Sequence, residues 1–305
     1  LKGPGRPVVP ADERAELLRA HEIVLTSWGA APLPPELADE PGRVEYICHV
    51  NGSVRGFVPP EIIASDIPVT NWGDAIANDI AEGAMALLLA VLRDVPAHVQ
   101  AVRDGGWKID PATHGGTLFG ADVGIYGLGA IGLRFLEMLR PFGPRVRVYD
   151  PYAAYVPPDC EAVATLDELF DVSRIVVIHA GLTDETRGSV TADLLAKLPD
   201  HGVLINTARG AIVDEEALMA ELEAGRLRAG LDVLVAEPIA ADHPARRWQN
   251  VLITGHQASL GWPADGREPA ELQRFHRVAL DNVRRHIEGL PLRFVMTPQR
   301  YDRST

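Results

Sequence analysis

The chain has 305 residues, of which 47% are hydrophobic, and it carries a formal net charge of −13 with a pI near 5.2. This length and apolar content indicate a globular protein and favour two domains. The acidic balance, with no run of Lys and Arg longer than a pair, disfavours nucleic acid and anionic membranes as partners. A basic pocket within an acidic surface remains compatible with these numbers.

The sequence gives no sign of membrane insertion or secretion. The longest uncharged apolar stretch, Gly83 to Leu92, is about ten residues, well short of the roughly 18 that indicate a membrane span, so it predicts a buried helix. The amino end lacks the pattern of a signal peptide. Cys48 and Cys160 are far apart, which predicts free thiols in a reducing cytoplasm. The missing initial Met indicates trimming or absent upstream residues.

The region from residue 11 to residue 77 has the pattern of a small α/β unit. The segments AHEIVLTSW and VEYICHV predict strands, and prolines punctuate the loops. The last helix is predicted from Glu268 to Glu288, and we expect the following LPLRFVMTP to return to this first unit. The predicted organisation is therefore a smaller domain of residues 1–77 plus 264–305, with a larger domain of residues 78–263 inserted between them.

From Asp122 onward, short β-branched runs alternate with helical segments. The predicted strands are Val123–Tyr126, Val146–Tyr149, Ile175–Ile178, Val203–Ile205, Leu231–Val235 and Val251–Thr254. The predicted helices between them include Ile131–Arg140, Thr191–Leu198 and Glu215–Ala224. Continuous apolar runs indicate strands that are covered on both faces, and the interleaved helices indicate βαβ units. The pattern predicts a doubly wound parallel sheet in an α/β fold.

A glycine-rich turn joins the first strand of this pattern to its helix. Gly127, Gly129 and Gly132 have the GxGxxG spacing, and Asp150 follows at the end of the next strand. A strand, this turn and a helix amino terminus together predict a site for a dinucleotide pyrophosphate. A carboxylate at position 150 accepts hydrogen bonds from the ribose hydroxyls and repels a 2′-phosphate, which predicts NAD rather than NADP. Arg145 and Arg147 lie nearby, on strand faces that the sequence does not resolve.

Three ionisable residues follow predicted strands: Arg209, Glu237 and His256. Ligands of open α/β sheets bind beyond the carboxyl ends of the strands, so we expect these side chains to converge. His suits proton transfer near neutral pH, and an adjacent carboxylate favours the protonated imidazolium. The guanidinium of Arg209 matches a carboxylate with two parallel hydrogen bonds. The set predicts hydride and proton transfer on a 2-hydroxy or 2-keto acid.

The segments NTARGAIVDEEAL, AGLDVLVAEP and NVLITGHQA, together with GIYGLGAIG and VVIHAGLTDETRG, resemble the D-isomer-specific 2-hydroxyacid dehydrogenase family over roughly residues 68 to 262. The resemblance implies a Rossmann cofactor domain inserted into a smaller, flavodoxin-like α/β substrate domain. It also implies an NAD-dependent oxidoreductase that acts on a small D-2-hydroxy acid or its 2-keto acid.

The resemblance further implies residue roles. Arg209 orients the substrate, Glu237 and His256 form the proton-transfer pair, and Asp232 contacts the nicotinamide end of the cofactor. His179 is expected to pack or to shape the cofactor site rather than to act as a catalyst. The residues expected to bind the cofactor are Gly127, Gly129, Ala130, Ile131, Gly132, Asp150, His179, Ala180, Thr207, Ala208 and Asp232.

The segment HVNGSVRG, residues 49–56, sits where the family has its substrate loop. Amides around Asn51, Gly52 and Ser53 are expected to hold a substrate carboxylate, because a glycine-containing turn can point several N–H groups at one anion. Arg55 either adds charge to this loop or is a solvated loop residue. Near the active-site histidine, Gly255 stands where the family usually has Pro. Trp262 reaches the mouth of the active site or belongs to the core.

The segment IPVTNWGDAIANDIAEGAMALLLAVLRDV resembles the stretch that leads into the family's interdomain helix. In the family that helix supports formation of a homodimer. Its apolar part here, Met85 to Leu92, is compatible with burial against a second subunit and equally with burial inside one subunit.

Two other functions share the dinucleotide site. One is an NAD(H)-sensing, corepressor-like binding protein, because family relatives with the same fold act as transcriptional corepressors. The retained Arg, Glu and His argue against this role without excluding it, since those relatives also keep the set. The other is reduction of a different carbonyl class or oxidation of formate, although the segment before Glu82 shows no clear counterpart of the formate enzymes' active-site Asn. The ten histidines have no metal-binding spacing, so no metal site is predicted.

Overall fold

The computed structural model describes residues 9–107, 115–259 and 274–303. The chain divides into two compact units, one formed by Leu1–Ile76 with Trp262–Thr305 and the other by Ala77–Gly261. In chain order the described helices and strands are α1 (Ala11–Arg19), β1 (Ile23–Thr26), β2 (Tyr46–His49), α2 (Pro60–Ala64), β3 (Val69–Thr70), α3 (Ala77–Leu92), α4 (Val95–Arg103), β4 (Asp122–Tyr126), α5 (Ala130–Leu139), β5 (Arg145–Tyr149), β6 (Glu161–Ala162), α6 (Leu166–Asp171), β7 (Ile175–Ile178), α7 (Ala192–Lys197), β8 (Val203–Asn206), α8 (Glu215–Glu223), β9 (Arg228–Leu231), β10 (Val251–Ile253), α9 (Arg274–Ile287) and α10 (Pro298–Arg303).

The larger unit is built on a seven-stranded parallel sheet in the order β10-β9-β8-β7-β4-β5-β6. The chain proceeds outward from β4 to one side through β5 and β6 and then to the other side through β7 to β10, so the order reverses next to β4. This arrangement confirms the predicted α/β fold with a doubly wound parallel sheet. In such sheets the ligand crevice lies at this reversal, beyond the carboxyl ends of the strands.

Hydrophobic side chains cover both faces of the larger sheet. Val123 and Ile125 of β4 belong to one core cluster with Phe135 of α5, while Tyr126 belongs to a second cluster on the opposite face. This alternation explains why the strands appear in the sequence as continuous apolar runs. The apolar face of α3 is buried in the first cluster. Within the stretch Met85 to Leu92, burial inside one subunit covers Met85, Leu87, Leu88, Val91 and Leu92, whereas Ala86 is exposed.

One strand begins earlier than the sequence pattern indicates. The apolar run Leu231–Val235 predicts a strand, whereas β9 spans Arg228–Leu231 and the residues after it form a turn. The pattern misleads because β9 opens with a charged residue. Arg228 is buried, and its guanidinium donates to Asp94 and to the carbonyl of Val91. A buried arginine is tolerated when its charge is paired in this way.

The smaller unit contains a parallel sheet in the order β1-β2-β3. Thr26 of β1 lies opposite His49 of β2, and Cys48 lies opposite Thr70 of β3, so the carboxyl ends of the three strands are aligned. The segment after α9 pairs with this sheet through an antiparallel bridge between Val295 and Thr70. Across the ranges that the structure describes, no helix has the length and apolar character to span a membrane.

Candidate active site

Arg209, Glu237 and His256 follow the carboxyl ends of three adjacent strands of the larger sheet. Arg209 comes after β8, Glu237 lies in the turn after β9, and His256 follows β10. The strand order β10-β9-β8 places these ends side by side. His256 and Glu237 are in direct contact. The turn that carries Arg209 packs against the turn that carries Glu237, through Gly210 and Leu234.

His256 and Glu237 form a hydrogen-bonded pair. The distance between His256 Nδ1 and Glu237 Oε2 is 2.7 Å, and the side chains are 46% and 37% exposed. Because a carboxylate can only accept, Nδ1 donates its proton to Glu237. The other ring nitrogen, Nε2, is left for a ligand, which is the tautomer that acid–base catalysis at Nε2 requires.

Asp232 holds the loop that carries His256. Its carboxylate accepts hydrogen bonds from the Thr254 hydroxyl at 2.6 Å, from the Gln257 amide at 2.7 Å and from the Ala258 amide at 3.0 Å. Its carbonyl also accepts from the amide of His256 at 2.6 Å. A contact between Asp232 and the nicotinamide remains a prediction. The structure adds that this buried carboxylate fixes the histidine loop.

The histidine loop has two consecutive residues with left-handed backbone. Gly255 has φ +68° and His256 has φ +62°. Proline is locked near −65° and cannot adopt the first of these angles. The angle at position 255 therefore excludes the proline that is usual there, and glycine adopts it without strain. Trp262, which the sequence places further along, lies outside the described residues.

Arg209 lies within electrostatic range of Glu237. Burial lowers the pKa of its guanidinium, and the charge of Glu237 opposes that shift. The group stays protonated, as arginine does in proteins. The next residue, Gly210, packs so closely against the backbone of Leu234 that a Cβ would overlap it. This contact brings the turns of Arg209 and Glu237 together.

Two further residues shape these turns, and the sequence pattern does not single out either of them. Glu215, at the start of α8, accepts a hydrogen bond from the Val235 amide at 2.6 Å, while Glu237 accepts from the Leu234 amide at 3.0 Å. Asn206 accepts from the Ala208 amide and donates to the Arg209 carbonyl. The available signal for Asn206 is its position before a turn, where Asn commonly bonds to the backbone.

The glycine turn fits a dinucleotide. A Cβ at Gly127 would lie 2.5 Å from the Ala180 amide nitrogen, whereas a Cβ at Gly129 would meet nothing within 4 Å. The turn is therefore tightly packed at Gly127 and open at Gly129. Ala130 and Ile131 begin α5, whose first amides point toward this space. A phosphate group would be held there by backbone N–H groups.

Asp150 is fixed beside the glycine turn. One carboxylate oxygen accepts from the Leu128 amide at 2.7 Å and the other accepts from the Tyr152 amide at 2.8 Å. Each oxygen retains capacity for a further donor, such as a ribose hydroxyl. Arg145 and Arg147 both pair with Asp122, at the opposite, amino-terminal end of the strands. Their guanidinium groups are engaged away from the crevice.

The remaining predicted cofactor residues line the same edge of the sheet. His179 follows β7, and burial lowers the pKa of its imidazole to about 3. Its ring lies 4.9 Å from the ring of Phe135, which suits the packing role expected for it. Within the part of the chain that the structure describes, the buried Thr207 hydroxyl and His179 Nε2 have no hydrogen-bond partner. A bound dinucleotide would supply polar groups at this edge.

In the smaller unit, the loop of Asn51, Gly52 and Ser53 follows β2. Arg55 is not a freely solvated loop residue, because its guanidinium donates to the carbonyls of Tyr301 and Asp302 in α10. A contribution of its charge to the loop stays a prediction. In the described ranges, no group of His, Cys, Asp and Glu side chains is arranged to hold a metal ion.

Comparison with known proteins agrees with this geometry. Residues 85–258 match the model of the D-isomer specific 2-hydroxyacid dehydrogenase, NAD binding domain. The chain is 32% identical over 283 residues to a hydroxypyruvate reductase from Blautia hydrogenotrophica, covering 90% of this chain and 84% of that protein. It is 34% identical over 251 residues to a glyoxylate reductase from Korarchaeum cryptofilum, covering 77% and 73% of the two chains.

Among solved structures, a protein from Thermus thermophilus superposes with a TM-score of 0.79 and 29% identity, covering 96% of this chain and 91% of that one. Similar solved structures include complexes with NAD and complexes with NADPH. The chain belongs to the D-isomer specific 2-hydroxyacid dehydrogenase family. It is an oxidoreductase that transfers a hydride between a nicotinamide dinucleotide and a 2-hydroxy or 2-keto acid.

Proposed function

We propose that Arg209, Glu237 and His256 carry this reaction and that NAD is the preferred dinucleotide. In this proposal the larger unit binds the cofactor and the smaller unit contributes to substrate binding. The observation that carries the proposal is the 2.7 Å hydrogen bond between His256 Nδ1 and Glu237 Oε2, at the strand ends that also present Arg209.

His256 moves the proton. In reduction of a keto acid, the imidazolium donates from Nε2 to the carbonyl oxygen; in oxidation of a hydroxy acid, neutral Nε2 accepts the hydroxyl proton. Glu237 holds the ring through Nδ1 and stabilises the positive charge when the ring is protonated. When bound, the nicotinamide ring supplies or accepts the hydride. Its pyrophosphate would be held by the amides at the start of α5 and its ribose by Asp150.

Arg209 binds the carboxylate of the substrate. Its partial burial supports this role, since a carboxylate brought to a desolvated guanidinium gains strong, geometrically defined hydrogen bonds. The guanidinium donates to the Ala208 carbonyl at 2.7 Å, which orients the group while leaving other N–H donors for a ligand. The clamp fixes the reacting carbon relative to His256.

The reaction is tested by supplying NADH with glyoxylate, hydroxypyruvate, pyruvate, phenylpyruvate and branched-chain 2-keto acids. We expect turnover of at least one acid, and we expect His256→Ala to lower kcat by about 10² to 10⁴-fold. His21→Ala, at an exposed position in the smaller unit, is the matched control. If no acid oxidises NADH, the proposed reaction fails and the sensing role is favoured. If His256→Ala retains full activity, the assignment of His256 as the proton-transfer residue fails.

The cofactor preference is tested by comparing NADH with NADPH. We expect kcat/KM to be at least about 10-fold higher with NADH, because Asp150 accepts ribose hydroxyls and repels a 2′-phosphate. Asp150→Ala should raise the KM for NADH by about 10-fold and should reduce the ratio of kcat/KM with NADH to kcat/KM with NADPH. Equal or better use of NADPH by the wild-type enzyme would contradict this assignment.

We also propose that the enzyme is a homodimer in a reducing cytoplasm. Val95, Val99 and Val102 line one face of α4 and are exposed, which supports a second copy as the group that covers them. Light scattering should report a dimer, and Val99→Asp should convert it to a monomer, whereas Val172→Asp, also at an exposed valine, should not. A monomeric wild type would exclude the dimer.

Both cysteines are free, with Cys48 buried, which supports a reducing compartment that cell fractionation can test.

A further inference from the structure

The smaller unit presents an aromatic pair at the carboxyl ends of its parallel strands. Trp28 follows β1 and Trp72 follows β3. Their ring centroids are 5.4 Å apart with the ring planes at 80°, which is the favourable edge-to-face arrangement. The ring centroid of Phe275 in α9 lies 5.3 Å from that of Trp72, so the two rings pack together. Trp28 is 52% exposed, so a large apolar face is open at these strand ends.

The same pair is attached to the loop of Asn51, Gly52 and Ser53. The Trp28 amide donates to Asn51 Oδ1 at 3.1 Å, and the Trp72 amide donates to the Asn51 carbonyl at 3.2 Å. The indole of Trp72 lies directly against Gly52, because a Cβ there would be 2.5 Å from the ring. The position of the aromatic pair relative to this loop is therefore fixed.

These two features have complementary chemistry. Backbone amides of a glycine-containing turn suit a carboxylate, while the half-exposed indole of Trp28, packed on the partly buried indole of Trp72, suits an apolar or aromatic group. In a 2-keto acid, the side chain is attached to the carbon next to the carboxylate. An acid whose carboxylate is held at the loop therefore brings its side chain to the neighbouring indoles. A half-exposed indole at strand ends, beside a polar turn, has the composition of a ligand pocket wall.

We propose that Trp28 and Trp72 form the side-chain subsite of the substrate, and that the enzyme prefers 2-keto acids with an aromatic side chain to glyoxylate and hydroxypyruvate. This inference rests on the proposed function for carboxylate binding and hydride transfer. It differs from what the names of the hydroxypyruvate and glyoxylate reductases would imply for this chain.

The test compares kcat/KM for phenylpyruvate, glyoxylate and hydroxypyruvate in the wild type, Trp28→Ala and Trp28→Phe. We expect the wild type to favour phenylpyruvate by at least about 10-fold. Trp28→Ala should lower kcat/KM for phenylpyruvate by about 10- to 100-fold and change that for glyoxylate by less than about 2-fold, because glyoxylate has no side chain to lose contacts. Trp28→Phe should restore most of the loss. Trp107→Ala, at an 83% exposed tryptophan in the larger unit, is the control.

The subsite is excluded if the wild type uses glyoxylate as well as phenylpyruvate, or if Trp28→Ala lowers both acids equally. If every acid is inactive, the proposed function fails, and direct binding decides the subsite. Quenching of tryptophan fluorescence by phenylpyruvate that persists in Trp107→Ala but is smaller in Trp28→Phe and lost in Trp28→Ala then supports it; absence of quenching in the wild type overturns it. Circular dichroism spectra and thermal unfolding transitions like those of the wild type verify that the variants fold.

Discussion

At the scale of single residues, Gly255 sets the geometry that presents His256. Its φ of +68° is an angle that other residues adopt only with strain, and no neighbour lies within 4 Å of the place where its Cβ would be. A side chain would therefore meet no steric obstacle, and only the backbone angle opposes substitution. A proline would force a different path for the chain that leads to the histidine.

Gly255→Ala should lower the free energy of unfolding by about 1 kcal/mol and leave the histidine loop in place. Gly255→Pro should lower kcat by at least about 10²-fold, because the loop must abandon its hydrogen bonds to Asp232 and displace His256. Thermal unfolding and steady-state kinetics measure the two effects.

Gly225 provides the matched control, since it also has a positive φ, of +72°, and open space at its Cβ. Gly225→Ala should destabilise the protein by the same amount without affecting kcat. Wild-type turnover by Gly255→Pro would show that His256 does not depend on this backbone turn.

At the scale of elements, helix α8 is connected to the catalytic turn. Glu215, in its first turn, accepts the Val235 amide, and the turn from Leu234 to Glu237 ends in the carboxylate that holds His256. We therefore expect Glu215 to be a positioning residue that acts through the turn of Glu237.

Glu215→Ala should lower kcat by about 10- to 100-fold while leaving the KM for NADH unchanged, since it loosens the acid–base pair and not the dinucleotide site. Glu215→Gln should recover most of the activity, because an amide oxygen still accepts from Val235. Glu216→Ala removes a carboxylate from the same helical turn and should behave as the wild type. A loss in Glu216→Ala equal to that in Glu215→Ala would point to a general effect on α8 instead.

The sequence predicts the elements whose signal lies in side chains. The strands of the larger sheet are recognisable because their residues are buried on both faces, and β9 is misjudged because Arg228 conceals its start. Arg209, Glu237 and His256 are recognisable as polar residues at strand ends. The supports from Asn206, Asp232 and Glu215 are not predicted, because their partners are backbone N–H groups, which every non-proline residue possesses. Trp28 and Trp72 meet only through the pairing of β1, β2 and β3.

At the scale of the whole molecule, buried imidazoles couple stability to pH. In the smaller unit His49 is almost fully buried, with its ring stacked on Phe57 and hydrogen-bonded to Thr26, and burial lowers its pKa to about 4. In the unfolded chain the pKa of the His49 imidazole is near 6.5. As the pH falls through 6.5, His49 becomes protonated in the unfolded chain, whereas in the folded protein it stays neutral until about pH 4. Stability is therefore lost across that window and is full above it.

Between about pH 7 and about pH 5, His49 alone should account for about 2 kcal/mol of lost unfolding free energy. His49→Gln removes the titrating group, so its stability should change less over this range, even if its stability near pH 7 is lower. His21→Gln, at an exposed histidine of the same unit, should keep the wild-type slope. Denaturant unfolding at the two pH values measures the difference, and identical slopes for His49→Gln and the wild type would refute the assignment.

The network around Asp232 also bears on how this enzyme can diverge. The Asp232 carboxylate holds the segment after β10 chiefly through the main-chain amides of residues 257 and 258. Because these hydrogen bonds do not involve side chains, we expect substitutions at the two positions to leave the His256 imidazole largely in place. The Asp232 carboxylate can thus hold His256 in place while neighbouring side chains change. We therefore expect the surface beside the histidine to tolerate a change of the side chain at position 257 while the position of the imidazole is kept.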